Sequence, residues 1–240
     1  MIQYENEELE KRGTSCDGCI AVPVEIYIPS DDAEPVLTIY HGAEKAAESI
    51  ITKFGDCLDS AKAAEYIKMA IKPFAENIGI ASKNLHIVTV DEFVIRAVSD
   101  GVKELILDGC LEISSSDVYN MYRDVVSYGE VVYDFTGDPI DSVYIHTDGN
   151  NIVAIASVND LDCNSSVCEI CVETAPDYRR QGLASSCCAA LISHLIDAGY
   201  AVAYKCRREN TESMRLQKRL GFTHSGTRVS CVCYRTIASD

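Results

Sequence analysis

The segment YRRQGLA, Tyr178 to Ala184, is the most informative stretch of this chain. The residues before it, VCEICVET, have the composition of a strand, and those after it, SSCCAALISHLIDAG, have that of a helix. A helix start leaves backbone N–H groups without partners and carries about half a positive charge. Two arginines beside a glycine here therefore predict an anion site that suits a pyrophosphate. The alternative is a helix start whose arginines are simply exposed.

Working outward from this segment, the sequence predicts a mixed region of about 135 residues that begins near Leu105. Its predicted order is β–α–β–β–β–α–β–α–β. The patterns are a strand in LILDGCLEI, a helix with serine caps in SSSDVYNMYRDVVSYG, a hairpin of SVYIHTDG and NNIVAIASVND, a strand in SSVCEICVET, the helix after the segment, a strand in AVAYKCRREN, a helix in TESMRLQKRL and a strand in RVSCVCYRTI.

The first hundred residues are also mixed α and β, but they carry no chemical motif. VPVEIYI and LHIVTV predict strands, and GAEKAAESIITKF and DSAKAAEYIKMAIKPFAENIG have apolar residues at helical spacing. DEFVIRAVSDG is interpreted as a helix with Asp91 near its start. We therefore expect two parts, an N-terminal α/β region of unknown role at residues 1–104 and a second domain at residues 105–240.

Composition and charge exclude several classes of protein. The chain has 240 residues, of which 47% are hydrophobic and 24% charged, as in globular proteins. It has no apolar run long enough for a transmembrane helix, and its polar start differs from a secretory signal peptide, so a cytoplasmic protein is expected. A net charge of −16 disfavours nucleic acid and anionic membranes as partners. From Arg179 onward, however, 10 basic residues face only 4 acidic ones, which places an anionic ligand in this part.

The 12 cysteines are interpreted as reduced, because disulfides are rare in the cytoplasm. Six of them lie in predicted strands or helices and are expected to be small buried hydrophobes, namely Cys168, Cys171, Cys187, Cys188, Cys231 and Cys233. CDGC, Cys16 to Cys19, has the spacing of half a zinc site, but no convincing second half follows. No metal is therefore expected, and a zinc-binding interaction protein is the weakest alternative.

Two motifs resemble those of one family. VETAPDYRRQGLA resembles the acyl-CoA-binding motif of the GNAT N-acetyltransferase superfamily, and NTESMRLQKRLGF, Asn210 to Phe222, resembles its second motif. The resemblance covers about residues 105–240. Within the superfamily, these motifs also resemble the zwittermicin-resistance-like branch. It implies an α+β fold with a central mixed, mainly antiparallel sheet flanked by helices, here with an extra N-terminal α/β region.

The resemblance also implies roles for individual residues. The turn and the helix start would hold the pyrophosphate of acetyl-CoA, which serves as co-substrate. The strand before the turn would separate from AVAYKCRREN, and the thioester would lie in the gap. The pyrophosphate residues are Arg179, Arg180, Gln181, Gly182, Leu183, Ala184 and Ser185; Val172 and Thr174 would offer backbone groups to the pantetheine arm, and Asn210 and Ser213 would contact its sulfur end.

The acid and base of the reaction are less clear from the sequence. Gln217 stands where many family members have a tyrosine that protonates the leaving thiolate, and an amide cannot do this. Tyr204, Tyr234 or water would have to replace it. Some family members use a glutamate on this strand as the base. The matching position here is Cys168, and the adjacent Glu169 is therefore preferred over Glu173. Asp160 and Asp162 are further alternatives, and the histidines His146, His194 and His224 are not assigned.

The sequence thus predicts an N-acyltransferase that moves an acetyl group to a primary amine of a small molecule or peptide by direct attack. The alternative is a catalytically weak or inactive CoA-binding module with a regulatory or partner-binding role. A monomer or a homodimer is expected.

Overall fold

The computed structural model describes residues 2–8, 19–21, 24–41, 50, 52, 59–77, 85–121, 139–162 and 165–234. The strands are β1 (Ile2–Glu8), β2 (Cys19–Ala21), β3 (Val24–Pro29), β4 (Val36–His41), β5 (Leu85–Ile95), β6 (Leu111–Ser114), β7 (Ser142–Asp148), β8 (Asn151–Asp162), β9 (Val167–Thr174), β10 (Ala201–Arg207) and β11 (Thr223–Tyr234). The α-helices are α1 (Ser60–Asn77), α2 (Asp100–Lys103), α3 (Ser115–Met121), α4 (Leu183–Asp197) and α5 (Thr211–Arg219), with 3-10 turns at Pro139–Asp141 and Pro176–Tyr178. Within these ranges, no helix combines the length and hydropathy that a membrane span requires.

The chain divides into two compact units. One contains Met1–Glu92 together with Ser225–Asp240, and the other contains Phe93–His224. That residues 1–104 and 105–240 form two separate domains stays a prediction.

The second unit is a mainly antiparallel sheet in the order β10-β9-β8-β7-β6. The predicted hairpin is present, because β7 and β8 pair antiparallel up to Asp148 and Asn151. β9 and β10 are parallel, but their recorded pairs are only Val167 with Ala201, Cys168 with Val202 and Glu169 with Ala203. Beyond Glu169 the described residues of these two strands separate, which opens a gap in the sheet.

Helix α4 covers one face of this sheet and forms the centre of the core. It packs against β7, β8, β9 and β10. Its residues from Ser185 to Ile192 are all buried, because nearly every side chain in this stretch is small or apolar. The predicted order from β6 to β11 is confirmed, and so is the α+β fold with helices flanking a mixed sheet.

The first unit also combines a sheet with a helix. Its strand order is β1-β4-β3-β11-β5, with β2 paired to β11. β1 and β4 are parallel, whereas β3 pairs antiparallel with both β4 and β11. Helix α1 contacts β3, and apolar residues of both, including Ile26 and Ile67, lie in one fully buried cluster.

Three predictions about elements require correction or lie outside the described residues. DEFVIRAVSDG is not a helix, since β5 continues through it to Ile95 and only Asp100–Lys103 is helical. LILDGCLEI is a strand only from Leu111, because residues 105–110 form turns in which Leu105 N donates to Val102 O and Cys110 N to Leu107 O. Most of the helix predicted in GAEKAAESIITKF lies outside the described residues.

Candidate functional site

The predicted turn between β9 and α4 has the geometry of an anion site. Gly182 is the N-cap of α4, with a left-handed φ of 86° and no side-chain cap. The first bond of the helix runs from Ser186 N to Gly182 O at 3.0 Å. The N–H groups of Leu183, Ala184 and Ser185 therefore have no acceptor within the helix and point out of its start.

The side chains before Gly182 shape this turn. Arg179 Nε donates to Thr174 O at 3.2 Å, which uses one of its five donors to tie the turn to the end of β9. Gln181 Nε2 donates to Asp177 O at 3.4 Å. Arg180 has a left-handed φ of 63°, which costs energy for a residue with a Cβ and is typical of functional turns.

A cleft of about 410 Å³ opens beside this helix start. It extends from the turn into the gap between β9 and β10 and is closed on one side by α5. Its lining residues are Val172, Glu173, Thr174, Tyr178, Arg179, Arg180, Gly182, Leu183, Ala184, Ser185, Tyr204, Asn210, Glu212, Ser213, Arg215, Leu216 and Arg219. The cleft thus brings together every predicted cofactor residue except Gln181.

The charge of the cleft is opposite to that of the chain. Four arginines and two glutamates line it, while the whole chain carries −16. The positive end of the α4 dipole adds to this excess. The cleft therefore favours an anionic ligand although the protein as a whole repels one.

Helix α5 presents its first turn to the cleft. Asn210 is its N-cap, and the Asn210 side chain accepts from Ser213 N at 3.1 Å, as the sequence pattern predicted. Ser213 also forms a side-chain hydrogen bond with Tyr204, which is buried on β10. Burial raises the pKa of Tyr204 above its ordinary value of 10.0, so its hydroxyl stays protonated.

The candidate bases lie on one face of β9. Glu169 forms an ion pair with Lys205 of β10 and accepts from Asn159 Nδ2 at 3.5 Å. Glu169 does not line the cleft. Glu173, which lies four residues further along β9 on the same face, does line it. The one irregularity in the pairing of β8 and β9 lies on β8, between Val158 and Asp160, so the alternation along β9 is undisturbed. The assignment of Glu169 stays a prediction.

The other residues that the sequence singled out have structural contacts. Gln217 is buried, and its Nε2 donates to Met214 O at 2.9 Å within α5. His194 Nδ1 lies 3.9 Å from Glu112 Oε1, and the ring of His224 packs against the ring of Phe93. His146 is buried, with Nε2 at 2.9 Å from Ser186 Oγ. The side chains of Tyr234 and Cys19, and residues 16–18, lie outside the described part of the chain.

Sequence reasoning missed part of the cleft. Glu212, Arg215, Leu216 and Arg219 line it from α5, and their spacing of three and four residues marks one face of a helix. That spacing was visible in the sequence. Tyr178 also lines the cleft, with its hydroxyl bonded to the Asp148 carboxylate, a contact between distant residues that no local pattern indicates.

The fold is thus a mixed sheet in which a helix start faces the gap between two parallel strands, an arrangement that suits an anionic ligand. A family model for GNAT acetyltransferases matches residues 37–228, and the chain therefore belongs to this family.

Solved structures resemble the chain only distantly. A GNAT-family protein from Novosphingobium aromaticivorans is 16% identical with a TM-score of 0.48, over 64% of this chain and 69% of that one. A GCN5-related N-acetyltransferase-like protein from Streptococcus suis is 17% identical with a TM-score of 0.47, over 68% and 66% of the two chains. Aminoglycoside N-acetyltransferase AAC(6')-Iy in complex with CoA is 20% identical with a TM-score of 0.37, over 48% and 90%. No curated protein sequence matches the chain.

Proposed function

We propose that this protein transfers an acetyl group from acetyl-CoA to a primary amine of a small molecule or peptide. The observation that carries the proposal is the cleft, which joins a positively charged helix start to a gap between two parallel strands. The helix start suits a pyrophosphate, and the gap offers unpaired strand edges to an extended amide-containing arm. Family membership supports the same reaction class.

One orphaned atom in the cleft fits such a ligand. Thr174 Oγ1 is buried and has no hydrogen-bond partner in the described part of the chain. An unsatisfied buried hydroxyl costs about 1–3 kcal/mol, and an incoming amide or phosphate group would remove this cost. Thr174 ends β9 at the point where the strand meets the cleft.

The residues of the cleft can assist both halves of the transfer. The attacking amine must be neutral, so a carboxylate near the gap, Glu169 or Glu173, would accept its proton directly or through water. A backbone N–H at the open edge of β9 would polarise the thioester carbonyl. Tyr204 would supply the proton for the leaving thiolate, because it lines the cleft and its hydroxyl remains protonated.

Calorimetry with acetyl-CoA and with CoA tests the first step. Gly182→Asp places a negative charge at the proposed pyrophosphate position and should weaken binding at least about tenfold, or about 1.4 kcal/mol. Gly182→Asn is the matched control, since asparagine has the same shape and tolerates the left-handed conformation but is uncharged. Arg179→Ala should also weaken binding, by removing a guanidinium that lines the cleft.

Equal affinities for the Asp and Asn variants would contradict the placement of the pyrophosphate. A folded wild-type protein that binds neither acetyl-CoA nor CoA would overturn the proposed function altogether.

An amine panel tests the second step. Amino sugars, polyamines, amino acids and peptides with a free amine are the acceptor classes to screen. Because only the neutral amine attacks, the rate should rise with pH toward the pKa of the base or the amine. The acidic remainder of the chain favours cationic amines as acceptors.

The second candidate function is a CoA-binding module without efficient turnover. Two contacts favour it: Gln217 is occupied inside α5, and Glu169 is held by Lys205. CoA binding that is unaccompanied by transfer to any amine of the panel would support this function over the first.

The remaining features of the proposal come from the sequence. They are a cytoplasmic location, a monomer or homodimer, and no binding of nucleic acid or membranes.

A further inference from the structure

Three side chains that are distant in sequence meet beside the start of α4. Cys110 lies in the turn before β6, His146 on β7, and Cys187 in the second turn of α4. One potential metal-binding atom of each lies within 4.8 Å of those of the other two. His146 and Cys187 are buried and Cys110 is half-buried, so the group is largely shielded from water.

A hydrogen-bond network sets the orientation of the histidine. Ser186 Oγ accepts from Leu107 N at 2.9 Å and donates to the Cys110 sulfur, which leaves it one acceptor position. His146 Nε2 lies 2.9 Å from this oxygen. In the tautomer with its proton on Nε2, His146 donates to this oxygen and Nδ1 holds the free lone pair. A metal-binding imidazole has this arrangement, with its second N–H held by a polar group.

The sulfur atoms of Cys110 and Cys187 lie within 4.8 Å of each other and of a ring nitrogen of His146. Two thiols and an imidazole lone pair form a donor set that suits Zn²⁺ better than Mg²⁺ or Ca²⁺, which prefer oxygen.

We propose that Cys110, His146 and Cys187 form a binding site for one Zn²⁺ ion, distinct from the CoA cleft. Zn–S and Zn–N bonds of about 2.3 and 2.0 Å in a tetrahedron place the two sulfurs and the nitrogen about 3.5–3.8 Å apart. Atoms that already lie within 4.8 Å of one another reach this spacing by side-chain adjustments of about 1 Å or less. Binding replaces the thiol protons by the metal and releases them to solvent.

A second cavity gives access to this site. It has a volume of about 380 Å³ and is lined by Cys110 together with Ile106, Tyr144, Ala190, Ser193, His194 and Asp197. Cys110 is the ligand that lines this cavity, so zinc would enter from this side, and a water molecule would complete a four-coordinate site. The sequence predicted no metal because these ligands come from three separate elements and share no short motif.

The test uses the full chain with Cys16 and Cys19 both changed to serine, which removes the other zinc-like pair. The protein is reduced, stripped with a chelator and titrated with Co²⁺ and Zn²⁺. We expect one Co²⁺ per chain, thiolate-to-cobalt charge-transfer absorption, and displacement of the cobalt by Zn²⁺. X-ray absorption of the zinc form should show two sulfur neighbours and one nitrogen neighbour.

Ligand variants decide where the ion binds. Cys110→Ser and His146→Gln should each lower the affinity at least about tenfold. Ser186→Ala removes no ligand but removes a hydrogen-bond partner of His146 and Cys110, and should lower the affinity by about 10–100-fold. Cys171→Ser is the matched control, since Cys171 is a cysteine of the same unit that hydrogen-bonds Ser157 away from the site, and it should leave binding unchanged.

Circular dichroism establishes that each variant is folded, and His146→Gln gives an independent answer if Cys110→Ser is not. Absence of stoichiometric binding by the reduced protein, or retention of full affinity in the folded ligand variants, would overturn the proposal.

Discussion

Tyr204 is the side chain to which the proposed function assigns the protonation of the leaving thiolate. Its hydroxyl hydrogen-bonds Ser213 in the first turn of α5, and the centroid of its ring lies 5.7 Å from that of Phe222. The ring is thus held by an aromatic contact, and both Tyr204 and Ser213 line the cleft. Gln217, at the position where the family often has its tyrosine, lies one helical turn beyond Ser213.

Replacement of Tyr204 by phenylalanine should separate this role from packing. We expect kcat to fall by about 100-fold, a typical contribution of general acid catalysis, while the affinity for acetyl-CoA changes little. Steady-state kinetics with the best amine of the panel and calorimetry on the same variant measure the two effects. An unchanged kcat would mean that water protonates the leaving thiolate.

The pH dependence of kcat should have no descending limb in the ordinary range. A general acid works in its protonated form, so activity is lost as pH rises through its pKa. Burial raises the pKa of Tyr204 above 10.0, and its protonated form therefore persists up to at least about pH 9. A fall in kcat with a midpoint below about pH 9, measured on stable protein, would contradict this role.

At the scale of elements, a partly buried ion group joins three strands of the first unit. Arg228 of β11 pairs with Glu25 of β3 and with Glu92 of β5, the latter at 2.7 Å. The guanidinium also lies 5.3 Å from the centre of the Tyr27 ring. The charges satisfy one another only while all three strands are in register.

Arg228→Met should destabilise the protein by about 3 kcal/mol, because it leaves two carboxylates buried without a partner. The triple variant that also carries Glu25→Gln and Glu92→Gln removes the whole group and should recover most of this loss. Urea unfolding of the wild type and both variants measures the difference. Equal stabilities of the single and triple variants would show that the unpaired carboxylates are not the cause.

The individual elements show which parts of the fold could be predicted from the sequence and which could not. The hairpin of β7 and β8 and the helices α4 and α5 were predictable, since their signals are local: a tight turn, a small apolar face and an N-cap asparagine. The end of β5 was not, because its pairing is with residues far away in the chain. Thr227 Oγ1 donates to Asp91 Oδ1 at 2.7 Å, and this long-range contact holds Asp91 in a strand.

The residues of the candidate site also fall into those that local motifs predicted and those that depend on long-range contacts. The turn that holds Gly182 was predictable from a motif, and α5 contributed Asn210 and Ser213 through a second one. Arg215 and Arg219 required only helical spacing. In contrast, the Cys110–His146–Cys187 group and the pair of Tyr178 with Asp148 exist only because distant elements meet.

At the scale of the whole molecule, the predicted boundary at residue 104 can be tested by fragments. Residues 105–240 lack Phe93, Ile95 and Val102, which belong to the core of the second unit. They also retain β11 without β3, its partner over Gly226–Ser230. We expect this fragment to aggregate or to unfold without cooperativity.

The matched control is residues 93–224, which contain the second unit without the solitary strand. Thermal unfolding followed by circular dichroism compares the two. A cooperative transition of residues 105–240 with a midpoint close to that of the full chain would establish the boundary at residue 104 instead.

The first unit is assembled from two separate segments of the chain, and this has a consequence for protein synthesis. Residues 93–224 leave the ribosome before Ser225–Asp240, so every residue of the second unit is available for folding first. The first unit has to wait, since β11 lies between β3 and β5 in its sheet. The strands of Met1–Glu92 thus meet β11 only after the whole second unit has been synthesised, and until then the edges that β11 covers are open to pairing with other chains.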